Sequence, residues 1–402
     1  MPTVNIQGGK AGLSRDAYNS LTGGATSRQK IQMEDMIDIL QPSATPFLRI
    51  ARSLGKTETR NWKYEWFEDN PFPHVDTING SVAATGTTVT PDHPNYWQVW
   101  DRFVVGGKAG HAPTYDVARI TANDGTNLTV EWVTASPSAL EDGIQIINIG
   151  SAFEAGATYK EPKSTKENAQ SNYMQIIRDS IGITEVFDVT ALYGGRDLPY
   201  QLRKKFQEHK RKLERNIYWG ESDYDTDGTH PDGGMKGLRQ FITTNSNTSF
   251  GATTLAKWLT EIRTCTEADV DMSKLVVFTD LFVIQQLASL GNNLLQLKQG
   301  DNRLGLSIYE LAGVAPRPVR FIACPEFYDA GLGTSFEGTA YMISVNPSRM
   351  KRVTLPGLDT HLRVDIANPG YTLTVDEYYT SQGLILKQES THNFISGITA
   401  VA

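Results

Sequence analysis

Cysteine is nearly missing from this chain: Cys265 and Cys324 are the two in 402 residues, far apart and without CxxC spacing. That excludes a disulfide framework and a cysteine-held zinc site, and it fits two ordinary thiols in a reducing compartment. No apolar run of about 18 residues exists, so no membrane-spanning helix is expected. The first 30 residues lack the apolar core of a signal peptide, so no secretion is implied. The seven histidines (His74, His93, His111, His209, His230, His361 and His392) are scattered, without HExxH or any other metal-ligand spacing. No GxSxG elbow and no GxxxxGKS/T loop occurs. GGKAG appears at 8–12 and 106–110, yet neither copy has the length or the Ser/Thr of a phosphate cradle, and both read as flexible turns. No catalytic, cofactor-binding or metal-binding residue is therefore assigned, no cofactor is expected, and the chain is not expected to be an enzyme.

One stretch comes near to a metal site. In DYDTDGTHPDGG (223–234), Asp223, Asp225, Asp227 and Gly228 fit the opening of a calcium loop. The twelfth position is Gly234, where such a loop needs a bidentate Glu, so a solvated loop is the simpler reading. Bulk charge excludes more. The formal net charge is −7, so the surface as a whole does not attract DNA or acidic membranes, and any nucleic-acid contact must come from a local patch.

What is present suits a folded protein: 39% hydrophobic and 21% charged residues. A single core rarely grows past roughly 250–300 residues, so two or more lobes are expected. Residues 1–30 are polar and Gly-rich and read as an extended arm. Met33, Met36, Ile37 and Leu40 recur at helical spacing up to Pro42, and ATPFLRI begins a second short segment. In TRNWKYEWFED (59–69), Trp62, Tyr64 and Trp66 alternate with Asn61, Lys63 and Glu65, the signature of a half-exposed strand. The turn-rich stretch after it reads as a long excursion away from any compact core. Residues 96–150 hold short strands separated by Gly and Asp turns, with a hairpin signal at Asp124-Gly125, and read as an inserted β-module. YMQIIRDSIGITEVFDVTALYGG runs strand-like towards a helix at about 198–219. From there helices (TTLAKWLTEIRTCTEA, LFVIQQLASLGNN) alternate with strands (KLVVFTD, VRFIACPEF, TAYMISV), and the chain closes with period-2 strands around Ser381-Gln382-Gly383. Fold class is α+β, with α/β-like packing at this end.

The helix QLRKKFQEHKRKLERNIYWG (201–220) is the most charged stretch. Arg203, Lys204, Lys205, Lys210, Arg211, Lys212 and Arg215 face only Glu208 and Glu214. Leu202, Phe206, Leu213 and Ile217, with His209 among them, fall within a fan of roughly 80°, a narrow apolar seam. Asp197 is placed as N-cap, Pro199 in the first turn and Gly220 at the end. Nucleic-acid recognition would need interleaved aromatic or amide contacts and a known motif, and neither is there. The preferred reading is a helix lying seam-inward on a lobe, its bases solvated, paired to neighbours, or meeting acidic surfaces on another copy.

The order of segments resembles tailed-bacteriophage major capsid proteins of the Hong Kong 97-type fold, in the branch of podovirus-like and related head proteins. The resemblance covers most of 28–400. It rests on MIDILQPSATPFLRI with TETRNWKYEWFED, on NYMQIIRDSIGITEVFDVTALYGGRDLPYQLRKKFQEHKRKLERNIYWGE, on GGMKGLRQFI, and on NPSRMKRVTLPG followed by KQESTHNFISGI. It implies an N-terminal arm and short helix (1–56), an extended loop (57–175) carrying the β-module at about 96–150, and a peripheral domain (176–240) with the spine helix at about 198–219. A mostly axial domain (241–345) and returning peripheral strands (346–402) follow.

The implied function is a shell of hexamers and pentamers around double-stranded DNA, without sequence-specific binding. The partners are the protein itself, a portal, and scaffolding and decoration proteins, with no membrane; the place is the virion, assembled in the host cytoplasm. No scaffolding segment of about 100 residues is seen, so scaffolding is expected to be separate or absent, and no Lys–Asn crosslink pair is assigned. Trp62, Tyr64, Trp66 and Phe67 are candidate anchors between subunits, or pack within one subunit. The β-module is an outer interaction platform or, preferred, a clasp between subunits. Two rivals stay open: a carbohydrate- or surface-binding adhesin with exposed Trp, and a calcium-dependent hydrolase resting on 223–234.

Overall fold

The computed structural model describes residues 45–107, 112–156, 159–189, 197–224, 232–267, 274–290, 295–297, 308–311, 319–328 and 336–401. The N-terminal arm, the helical pattern at 33–40, GGKAG at 8–12, most of its second copy, His111, His230, and Asp225, Asp227 and Gly228 lie outside the described residues. The chain forms two compact units: Trp66–Gln170, and the chain before and after it. It enters and leaves the first along the paired strands Lys63–Glu68 and Asn168–Tyr173.

In the larger unit, Leu275–Thr279 and Ala340–Ser344 are buried at every position, as runs without polar alternation require. They pair antiparallel, with Val277 opposite Met342. Because successive side chains of a strand point to opposite faces, Val276, Phe278, Tyr341 and Ile343 enter one core, and Leu275, Val277, Ala340 and Met342 enter another. The first core is completed by Phe47 and Leu48 of the helix Pro46–Ser53 and by Leu213, Ile217 and Tyr218 of the long helix Asp197–Trp219. The second takes Trp258 and Ile262 from the helix Leu255–Glu267, and Val283 and Leu287 from the helix Leu281–Ser289. The latter helix starts on Asp280, whose carboxylate accepts from Val283 N at 2.8 Å and Gly338 N at 2.5 Å. It lies on the crossover to the parallel strand Val319–Ala323.

The second sheet of this unit centres on Leu373–Leu386. That strand pairs antiparallel with Gln175–Thr184 from Gln175 opposite Gln382 to Thr184 opposite Leu373, and at its other end with Met350–Thr354. Lys56–Glu58 adds a parallel edge strand. One expectation is corrected here: Ser381-Gln382-Gly383 is no break, since a single 14-residue strand passes straight through it. Gly383 is needed for another reason. A Cβ there would lie 2.7 Å from Tyr64 Oη and 2.8 Å from Met174 Sδ, so the glycine admits a close neighbour rather than making a turn. A second correction concerns EVFDV, read as strand-like: Glu185–Val189 is helical.

The smaller unit is a six-stranded antiparallel sheet, in the order Val75–Thr77, Gln145–Ser151, Asp101–Val105, Val117–Asn123, Leu128–Trp132, Thr88–Val89. Its own core holds Trp97, Phe103, Ile120, Leu128 and Ile146. The Asp124-Gly125 hairpin is present: Gly125 has φ 88°, and Asp124 Oδ1 accepts from Thr126 N at 2.8 Å. The stretch after residue 69, expected to stray from any core, instead supplies Ile78, Val82 and Val89 to this one. Its strands are two and three residues long, too short to show a period.

Candidate functional site

Among the described residues, no group of three or more His, Cys, Asp or Glu side chains could hold a metal ion. Of the 223–234 stretch, Asp223 uses its carboxylate to accept from Gly234 N at 2.6 Å. Cys265 and Cys324 are free and buried; burial pushes the Cys265 thiol up to about 12 and Cys324 upward too, so neither is poised as a nucleophile. His93 Nδ1 lies 3.0 Å from the buried Asp76, which also accepts from Trp97 Nε1 at 3.0 Å. His361 Nδ1 faces Asp359 O, and His392 Nδ1 accepts from Ser344 N. These contacts staple chain segments together.

The long helix shows what its charges do. Its buried residues are His209, Leu213, Glu214, Ile217 and Tyr218. His209 Nδ1 meets Asp179 at 2.7 Å and its Nε2 faces the Thr380 hydroxyl at 2.7 Å, so one imidazole ties the helix to two strands of the sheet. Burial disfavours the charged ring and lowers the His209 pKa, against the pull of Asp179. Burial alone would raise Asp179; Lys212 and His209 outweigh it and hold the carboxyl below the usual range. Arg211 and Arg215, one turn apart, both pair with Glu326, which is 4% exposed. Four of the seven bases are thus accounted for within the chain, Lys205 pairing with Glu208 on the helix itself.

Glu214 was expected to balance the basic face and does something else. It is fully buried, and its carboxylate accepts from Phe47 N at 3.3 Å and Leu48 N at 3.4 Å. The first amides of a helix have no partner within it, and Thr45 supplies no side-chain cap, so a carboxylate 167 residues away caps the helix Pro46–Ser53. Burial raises Glu214 to about 8, with the Glu326 charge adding and the two amides opposing. Glu214 is three residues before Ile217 and four before Tyr218, but it falls roughly 60° outside the narrow seam read from the sequence, because the buried face is wider than that seam.

The candidate anchors divide. Tyr64 (8% exposed) and Trp66 (7%) are buried within the chain, Tyr64 donating to Leu384 O at 2.9 Å, and Trp62 is half-buried. Phe67 is 68% exposed. The larger apolar display was not foreseen. On the larger unit Val186 and Val189 stand 79% and 86% exposed, and Val364, Ile366 and Tyr371 are exposed as well. Glu185 N donates to Thr372 O and Ile366 N to Val375 O, which brings the two segments to one end of the sheet.

A family model described as "SU10 major capsid protein" matches residues 18–399. The chain belongs to the SU10 major capsid protein family, whose members build capsids and are not enzymes. The major capsid protein of Escherichia phage Phieco32 is 30% identical over 108 residues, which is 26% of this chain and 29% of that relative's length. Among solved structures, the capsid of a native GTA particle gives a TM-score of 0.47 at 7% identity, covering 96% of this chain and 99% of the other. A structure from Mycobacterium phage Cain gives 0.46 at 10% identity, covering 98% and 100%. No helix among the described residues is long and apolar enough to cross a membrane.

Proposed function

We propose that this major capsid protein tiles the icosahedral head of a tailed bacteriophage as hexamers and pentamers, in a Hong Kong 97-type arrangement enclosing double-stranded DNA. The observation that carries the reading is the family match along 18–399, nearly the whole chain. In this reading 1–56 is the arm, 57–175 the extended loop with its β-module, 176–240 and 346–402 the peripheral domain, and 241–345 mostly the axial domain. Within 346–402, Asn393–Ile395 pairs instead with Ser246–Asn247 and Ala340–Ser344 of 241–345, so this last part of the chain joins the axial part's sheet. Repeated head-to-tail contacts around rings would cover the exposed apolar end of the larger unit. Portal, scaffolding and decoration proteins are the further partners.

Negative-stain microscopy of the purified full chain, with and without a scaffolding protein, tests the reading. Shells, tubes or capsomer rings are expected. Monodisperse monomers under every condition would contradict it.

A further inference from the structure

Charge is divided unevenly between the two units. Trp66–Gln170 holds 13 Asp and Glu against 6 Lys and Arg, a formal −7, which is the net charge of the entire chain; outside it, acids and bases balance at 32 each. All of the protein's excess negative charge therefore sits on the inserted unit. Part of that charge is used internally, since Lys160 pairs with Asp101 and Arg119 with Glu131. Glu154 and Glu161, beside the exposed Phe153 and Tyr159, point to solvent.

The larger unit has a local excess of the opposite sign. Arg52, Lys56 and Arg352 line an open cleft of about 380 Å³ with Asp359, and Lys56 also pairs with Glu58 at 3.0 Å, which leaves three bases against two acids. Arg352 forms the floor, 7% exposed and bonded to Asp359 at 2.7 Å. Arg52 and Lys56 stand at the exposed rim. Burial lowers the Arg52 pKa and the neighbouring Arg352 charge lowers it further; burial, Arg52 and Arg49 do the same to Lys210 on the long helix. Like charges held this close repel one another, and an incoming anion relieves that repulsion.

We infer that this cleft is the docking site for the acidic inserted unit of a second copy of the chain, with carboxylates of the insert, Glu154 and Glu161 foremost, entering between Arg52 and Lys56. The inference rests on the capsid reading and adds to it which surfaces meet. A second copy is favoured over nucleic-acid phosphate because the complementary charge is concentrated on one unit of this same chain, in equal stoichiometry with the cleft. Such a contact sets register and partner choice and is sensitive to salt.

The test compares three full-length chains by sedimentation velocity and negative-stain microscopy: wild type, Arg52→Glu/Lys56→Glu, and that pair combined with Glu154→Lys/Glu161→Lys. The expectation at about 50 mM salt is at least a tenfold rise in the concentration needed for assembly in the double variant, and recovery to within about threefold on restoring opposite charge. Rescue could not follow from misfolding, and unchanged melting of the double variant checks the fold directly. Assembly of wild type with no effect of the reversal would overturn the inference while leaving the capsid reading intact. Normal empty shells that fail only in DNA retention would also overturn it, assigning the cleft to phosphate. Failure of wild type to assemble at all would instead overturn the capsid reading.

Discussion

Glu214 is the residue whose behaviour is most specific to this account. Its carboxyl is ordinary in the unfolded chain and rises to about 8 in the folded one, so the folded state binds a proton that the unfolded state releases. The sign follows: stability is full below the unfolded value, falls as pH rises from about 4.5, and levels off above about 8, because the folded chain must then bury a charge. Glu214→Gln keeps an oxygen for the Phe47 and Leu48 amides and carries no charge. Urea melts across this range should show the variant equal to wild type near pH ~4 and more stable by ~1–2 kcal/mol near pH ~9. Glu214→Ala leaves the amides unpaired and should cost about 1–3 kcal/mol near pH ~4, the difference shrinking towards pH ~9 because only the wild type loses stability as Glu214 ionises. A second prediction concerns Gly383. Alanine there meets Tyr64 Oη at 2.7 Å, so Gly383→Ala should cost about 1–3 kcal/mol, and adding Tyr64→Phe should recover part of it. Additive losses in thermal melts would deny the contact.

At the scale of elements, the long helix closes backbone against backbone. Gly237 N donates to Gly220 O at 2.8 Å, and a Cβ on Gly237 would lie 2.6 Å from Gly220 N and 2.8 Å from Ile217 O. Main chain cannot swing aside as a side-chain tip can. Gly237→Ala should therefore destabilise by ~2 kcal/mol or more, where Gly125→Ala, with open space around it and only its φ of 88° to resist, should cost about 1. Elements of this kind differed in how legible they were. KLVVFTD was readable as a buried strand because all of its faces are covered, and Asp124-Gly125 as a hairpin because its turn chemistry is local. Thr88–Val89 and Val75–Thr77 were not, since two or three residues carry no period and owe their place to a core built by distant strands. The seam of the long helix was legible at Leu213 and Ile217. Glu214, roughly 60° beyond that seam, was not, because its charge suggested solvent, and the amides that hold it come from a helix far away in sequence. The Trp62–Trp66 face shows the opposite limit: alternation revealed that one side is covered, but not that the cover is the same chain.

At the scale of the whole molecule, the described chain buries its charges in internal pairs and leaves apolar side chains in the open. Glu326 holds two arginines, Asp179 a lysine and a histidine, and none of these groups is free for chemistry. Val186, Val189, Val364 and Tyr371 meanwhile stand 65% or more exposed. A protein meant to remain alone would gain nothing from that display, whereas one that packs against copies of itself gains roughly 25 cal/mol for each Å² removed from water, before the cost of association. The family match and the exposed surface thus point the same way, although only the surface follows from the physics of this chain.

Hydrogen–deuterium exchange of the same protein, assembled and dissociated, tests this most directly. The account predicts strong added protection in the shell at 185–189 and 364–371, with the strand Leu275–Thr279 equally protected in both states because its cover is internal. Equal exchange of 185–189 and 364–371 in shells and in free subunits would contradict it.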